Sequence, residues 1–277
     1  MFQKLFLGAL ALTTMLTINA QTIRTPAASP TQTVKQEFGI GSVELSYSRP
    51  GIKGRKIYID LAPAGQVWRT GANQATTLTF SEEVVIGGKK IPAGKYGLLS
   101  IPNRTEWTLI LTKQVDVTNP AAYKQEEDVV RVKVKPATLP TAVETFTMQF
   151  ANVKPASADL QLMWDKVMVV LPIKAEIDQK VMSQINEMKD KENFPYFQAG
   201  LYYLENGKDV KQAYAWIEKA AELQPDAFWI HHQKANALVK LGRKAEAKQA
   251  ALKSMELAKK QNNADYVLLN EKLIARL

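Results

Sequence analysis

The chain has 277 residues, and its 36 basic and 27 acidic side chains give it a formal net charge of +9. It contains no cysteine, which excludes disulfides, thiolate metal sites and attachment of a lipid to a cysteine. Its two histidines, His231 and His232, are neighbours in the C-terminal region, so a Ser-His-Asp triad and a histidine-ligated zinc site are excluded in the rest of the chain. The length predicts two domains.

The first 20 residues have the layout of a secretory signal peptide. Lys4 precedes an apolar run over residues 5–18, and the small residue Ala20 provides a cleavage site. Residues 21–32 are rich in Thr, Pro, Ala and Ser and are predicted to form a linker. This layout predicts a periplasmic or secreted protein with no membrane-spanning segment after cleavage, and a retained N-terminal anchor is the alternative.

Residues 33–175 are predicted to form an antiparallel β-sandwich or jelly roll. Apolar and polar residues alternate, as in strands with one buried face, over residues 43–47, 130–134 and 146–150. The pair Gly87-Gly88 predicts a hairpin turn between two short strands, and Asp165-Lys166 is assigned to a turn of the same kind. The spacing of these signals indicates about nine or ten strands.

Five short sequence motifs follow one another along this region: YSRPGIKGRKIY, VWRTGANQATTLTF, IPAGKYGLLSIP, EWTLIL and DVVRVKVKP. In this order they resemble the bacterial envelope proteins of domain-of-unknown-function family 2911, over about residues 33–173. The resemblance implies a secreted β-rich domain that is often followed by helical repeats, and it implies no reaction. The chain departs from the family pattern at two places. Members tend to carry Glu at the position of Gln74, and they tend to carry a short motif of an aromatic residue and glycine at the position of residues 117–123.

Residues 176–277 are predicted to be an all-α, tetratricopeptide-like domain. From Ile177 onward, apolar residues recur at every third or fourth position. Small residues that permit close packing of helices then recur with the tetratricopeptide period, since Ala213 and Ala247 lie 34 residues apart. Two such repeats predict a short concave surface for a peptide or protein partner, and support of the β domain is the alternative role.

Residues 48–75 interrupt the alternating pattern with five basic residues and one acid, Asp60. A connection of this length is usually functional or disordered, and its apolar residues favour order. Arginine forks bind carboxylate, phosphate or sulfate groups, and an aromatic face can stack on a sugar ring. The candidate residues for an anionic or glycan ligand are therefore Tyr47, Arg49, Lys53, Arg55, Trp68, Arg69 and Asn73.

Together these features favour a non-catalytic binding or scaffolding module of the cell envelope. No catalytic residue, cofactor or metal site is assigned, and nucleic acid is not expected as a partner because no recognition motif is present. One alternative is that the loop is structural, so that Trp68 belongs to the core and Arg69 pairs with an acid, namely Asp60, Glu82 or Glu83.

The second alternative is a hydrolase-type enzyme built on the same loop. In it, Arg69 and Asn73 would stabilise an oxyanion, and Ser48 or Tyr47 would act as the nucleophile. This alternative requires the four side chains to meet in one pocket.

Export should remove residues 1–20, because the charged, apolar and small-residue parts occur in the order that a signal peptidase requires. N-terminal sequencing of the protein taken from the envelope fraction should begin at or near Gln21. Recovery of a chain that still begins at Met1 would contradict the prediction.

Overall fold

The computed structural model describes residues 25–277 of the protein. The predicted signal peptide lies outside the described residues and remains a prediction. The chain divides into two compact units, Met1–Glu176 and Ile177–Leu277. No helix among residues 25–277 combines the length and the apolar character needed to cross a membrane.

The first unit contains ten described strands arranged as two antiparallel sheets. In chain order, β1 to β10 span Thr31–Phe38, Gly41–Ser48, Thr77–Phe80, Val84–Ile86, Lys89–Ile91, Gly94–Ile101, Trp107–Thr112, Asp128–Val134, Ala137–Lys154 and Ser157–Lys174. One sheet has the order β1-β2-β3-β6-β7-β8, and the other has the order β5-β4-β10-β9. The predicted mainly β, antiparallel domain is confirmed, and its first strand begins inside the predicted linker.

The two sheets share one apolar core. Core residues that are at most 2% exposed come from both sheets and include Leu45, Leu78, Leu109, Phe146 and Leu162. Because successive side chains of a strand point to opposite faces, one face of each strand supplies this core. On the opposite face of β6 and β7, Leu99 and Ile110 form a smaller cluster with Val117.

The turn prediction is confirmed at Gly87-Gly88 and wrong at Asp165-Lys166. The glycine pair joins β4 to β5, which are antiparallel neighbours. Asp165 instead lies inside β10, which continues without a break from Ser157 to Lys174. Its φ angle is 49°, and the pairing with β9 shifts register on both sides of it, as at a β-bulge. Aspartate tolerates this conformation in turns and bulges alike, so the local pattern does not separate the two.

The second unit is all helical, as predicted. Helices α1 to α6 span Asp178–Met188, Tyr196–Glu205, Val210–Leu223, Phe228–Lys240, Lys244–Lys260 and Ala264–Ile274. Helix α2 packs on α3, and α4 packs on α5. Ala213 and Ala247, which are separated by the predicted period, are both fully buried in this unit. The assignment to tetratricopeptide repeats stays a prediction.

The outer edge of β9 pairs with the beginning of the 48–75 segment. Phe146 N donates a hydrogen bond to Pro50 O at 2.9 Å, and Ile52 N donates to Glu144 O at 3.0 Å. Unpaired strand edges expose backbone donors and acceptors, so this irregular segment acts as the edge partner of the strand.

Tyr47, at the end of β2, continues this pairing through its side chain. Its hydroxyl accepts a hydrogen bond from Met148 N at 2.8 Å and donates to Gln32 Oε1 at 2.9 Å. The residue is 1% exposed, so water cannot take the place of the hydroxyl.

Tyr47→Phe should lower the free energy of unfolding by about 1–3 kcal/mol, because it leaves the buried amide of Met148 without an acceptor. Tyr96→Phe is the matched control, since its hydroxyl makes a single hydrogen bond, to the carbonyl of the exposed residue Pro92. Thermal melting followed by circular dichroism measures the difference. Equal melting temperatures for the two variants would contradict the prediction.

Candidate functional site

The 48–75 segment is fixed to both sheets and contains a helical turn between its attachments. In addition to the pairing with β9, Trp68 N donates to Ser100 O of β6 at 2.7 Å, and Ser100 N donates to Trp68 O at 2.9 Å. Between these points, Ile57–Leu61 forms one turn of π-helix. The side chains of the segment are therefore displayed from an ordered backbone, as the sequence predicts.

A cleft of about 460 Å³ is lined mainly by this segment. Besides residues of the segment, Ser29, Pro120 and Trp164 contribute to its walls. The charged side chains that line it are Arg55, Arg69 and Asp60. The cleft therefore holds two cations and one carboxylate, and its volume lies in the usual range for small-molecule sites.

Two tryptophans support the cleft from the core side. The rings of Trp68 and Trp164 are stacked, with centroids 5.5 Å apart and an angle of 12° between their planes. Trp68 is 7% exposed, and its Nε1 donates to Gly71 O at 3.1 Å. The expectation that Trp68 belongs to the core is met, and the ring still forms part of the cleft wall.

Arg69 has no carboxylate partner among the described residues. Its Nη1 donates to Thr118 O at 2.8 Å, whereas its Nε is buried and has no hydrogen-bond partner. The ion pair that the structural alternative expected, with Asp60, Glu82 or Glu83, is not formed. A buried, unpaired donor of a charged group costs free energy, so an acceptor that entered the cleft would find an unsatisfied guanidinium.

Arg55 is held in place by its own loop. Its Nε donates to Ile52 O at 3.1 Å, and its Nη2 donates to Gly51 O at 2.8 Å. Two backbone carbonyls therefore orient the guanidinium group, and its Nη1 keeps both of its hydrogens for a ligand. Asp60, the acid of the cleft, accepts from the backbone N–H of Lys56 at 2.8 Å.

The other candidate residues do not line the cleft. Arg49 donates through Nε to Phe146 O at 3.2 Å and through Nη2 to Thr147 Oγ1 at 2.9 Å. Asn73 donates through Nδ2 to Ser29 O at 3.0 Å, and the backbone N–H of Lys53 donates to Glu144 Oε1 at 2.8 Å. Of the seven sequence candidates, the structure brings three together in the cleft, namely Arg55, Trp68 and Arg69.

The pocket that the hydrolase alternative requires is not assembled. Ser48 is 1% exposed and its hydroxyl lies 3.2 Å from Thr31 Oγ1. Burial raises the pKa of the Tyr47 hydroxyl, which favours its neutral form. Neither side chain lines the cleft that contains Arg69, and Asn73 does not line it either.

Trp164 and Gln66 are cleft residues that the sequence reasoning missed. Trp164 ends a mainly apolar run over residues 160–164, a pattern that indicates a strand and gives no sign of a site. Its position in β10, one residue before the bulge at Asp165, brings it to the loop. That placement follows from the pairing of β10 with β9 and from the pairing of β9 with Pro50 and Ile52, which are far away in the chain, so no local signal reveals it.

Comparison with known families identifies the β unit. The model of the family described as "Protein of unknown function (DUF2911)" matches residues 29–173, a little over half of the chain. No curated protein and no solved structure matches the chain. The matched region includes every residue that lines the cleft.

Arg69→Met should change the free energy of unfolding by less than about 1 kcal/mol, because it removes one hydrogen bond and also one buried unpaired donor. Arg131→Met is the control for a paired arginine, since the Arg131 guanidinium contacts the largely buried Asp128 carboxylate at 2.6 Å. We expect the control to be the less stable variant in thermal melting. A fall of many degrees for Arg69→Met would show that it is part of a structural ion pair.

Proposed function

This chain belongs to the DUF2911 family, and we propose that its β unit is a non-catalytic module of the cell envelope that binds a small anionic ligand in the cleft of Arg55 and Arg69. The observation that carries the proposal is the state of Arg69. Arg69 lines the cleft, and its Nε is buried and has no hydrogen-bond partner among residues 25–277. A carboxylate, phosphate or sulfate oxygen would supply the missing acceptor.

Preorganisation supports the same role. An arginine side chain loses considerable rotamer entropy when it is immobilised by a ligand. Arg55 has already lost much of that freedom, because two carbonyls of its own loop hold its guanidinium. Arg69 is likewise anchored through Nη1 on Thr118 O. The cleft therefore offers two oriented cations whose remaining N–H groups are available to an anion.

The charge pattern of the cleft favours an anion over a cation. Asp60 is its one carboxylate, and that group already accepts a hydrogen bond from Lys56 N. The protein as a whole carries a net charge of +9, which adds a long-range attraction for anions. Binding of this kind needs no nucleophile, and none of the hydroxyl candidates, Tyr47 or Ser48, lines the cleft.

Isothermal titration of the full-length protein with glucuronate, inorganic phosphate and inorganic sulfate tests the proposal. We expect saturable binding of at least one of these probes, weakened about tenfold or more in Arg69→Met, because a charged hydrogen bond is lost. Arg276→Met is the matched control, since it removes the same charge from an exposed residue of the helical unit. Absence of saturation with all three probes, or equal weakening in both variants, would refute the proposal.

A further inference from the structure

A second cleft is lined by Ile57, Tyr58 and Ile59 of the helical turn, whereas Asp60 and Leu61 of the same turn line the first cleft. The second cleft has a volume of about 330 Å³, and Arg55, Lys56, Tyr58 and Arg104 are among the residues that line it. Arg55 also lines the first cleft. The turn therefore contributes to the walls of two clefts, and Arg55 lines both of them.

The second cleft is also cationic. The Arg104 guanidinium lies over the ring of Tyr58, with 5.4 Å between its Cζ atom and the ring centroid. The Tyr58 hydroxyl is fixed in turn, since it accepts a hydrogen bond from Trp107 Nε1 at 3.3 Å. In the part of the chain that the structure describes, neither Arg104 nor Lys56 forms an ion pair through its side chain. Stacking on a ring leaves the edge of a guanidinium group free to donate to an anion.

We propose that the ligand is an acidic oligosaccharide that lies across Arg55 and places one carboxylate-bearing sugar in each cleft. This inference rests on the proposed function and names the substrate class of the same site. Arg69 is the cation specific to the first cleft and Arg104 the cation specific to the second. Arg55 contacts the chain between them.

The carboxylates that line the two clefts favour a uronic acid chain over a continuous phosphate chain. Asp60 lines the first cleft and Asp165 lines the second. A continuous phosphate chain would meet both as like charges, which weakens binding. A uronic acid chain carries hydroxyl groups between its carboxylates, and these hydroxyls can donate to Asp60 and Asp165 while the arginines bind the acidic groups.

Apolar surface in the second cleft fits a sugar as well. Ile59 is 59% exposed there, and the ring of Tyr58 and the side chain of Val167 also line it. Sugar rings have apolar C–H faces that pack on aromatic and aliphatic side chains. The bulge at Asp165 positions this part of β10, because it shifts the pairing register of the strand at the cleft.

Isothermal titration of the full-length protein with galacturonate, digalacturonate and tetragalacturonate tests the inference. The tetramer should bind at least about tenfold more tightly than the monomer, because the second contact becomes intramolecular. Arg104→Met should reduce the affinity for the tetramer towards that for the monomer, and it should lower the affinity for the tetramer by a larger factor than the affinity for the monomer. Arg69→Met should weaken both ligands, Arg276→Met should weaken neither, and the melting temperature of each variant confirms that it is folded.

Three outcomes would overturn the inference. Equal affinity for monomer and tetramer, with monomer binding still lost in Arg69→Met, would limit the site to one small anion and leave the proposed function intact. Tighter binding of tetraglutamate than of tetragalacturonate would assign the clefts to an acidic peptide. If no galacturonate binds while glucuronate, phosphate or sulfate still binds, the oligosaccharide is rejected as the ligand class and the proposed function stands. If none of these probes binds, the proposed function is rejected as well.

Discussion

The β unit depends on the pairing of the outer edge of β9 with a segment that is not itself a strand. A free edge beside the core would leave buried backbone groups unpaired, and each such group costs free energy. In this protein the backbone at Pro50 and Ile52 supplies the missing partners, and the side chains of Tyr47 and Arg49 continue the contacts along the strand. Ser100 of β6 is satisfied in the same way by Trp68. One irregular segment therefore pairs with the edge strand of one sheet and with an interior strand of the other.

This constraint explains why the cleft forms in the basic segment. The chain between the two attachments must leave β9, turn and return to β6, and the π-helical turn Ile57–Leu61 forms within that excursion. Residues of this turn line both clefts, and so does Arg55, which shortly precedes the turn. The backbone of the same segment thus holds the Arg55 guanidinium group in place, whereas Arg69 is anchored on Thr118 O. In our proposal, stability and ligand binding depend on different residues, since Tyr47 and Arg49 contact the edge of β9 whereas Arg55 and Arg69 line the cleft.

The sequence predicts the parts of this arrangement that depend on local patterns. Alternation placed Val43, Leu45 and Tyr47 on one buried face, and their side chains are at most 1% exposed. The apolar residues of the 48–75 segment also predicted that it is ordered, and its backbone is fixed by hydrogen bonds to β9 and β6. The local pattern did not distinguish the bulge at Asp165 from a turn, because the left-handed conformation is common to both. The pairing of β10 with β9, in which Asp165 lies opposite Val143, decides between the two, and the residues next to Asp165 in the sequence do not predict that pairing.

The sequence also could not predict which basic residues of the 48–75 segment line the cleft, for a physical reason. Arginine can be satisfied by backbone carbonyls, which are present at every position and therefore carry no sequence signal. Arg49, Arg55 and Arg69 all donate hydrogen bonds to such carbonyls. The three arginines differ in whether the side chain lines a cleft and still has an N–H group that can donate there. Arg69 keeps a buried Nε without a partner and lines the cleft, whereas Arg49 lies against β9. Our choice of Arg69 as a ligand contact therefore rests on its remaining hydrogen-bonding capacity more than on its charge.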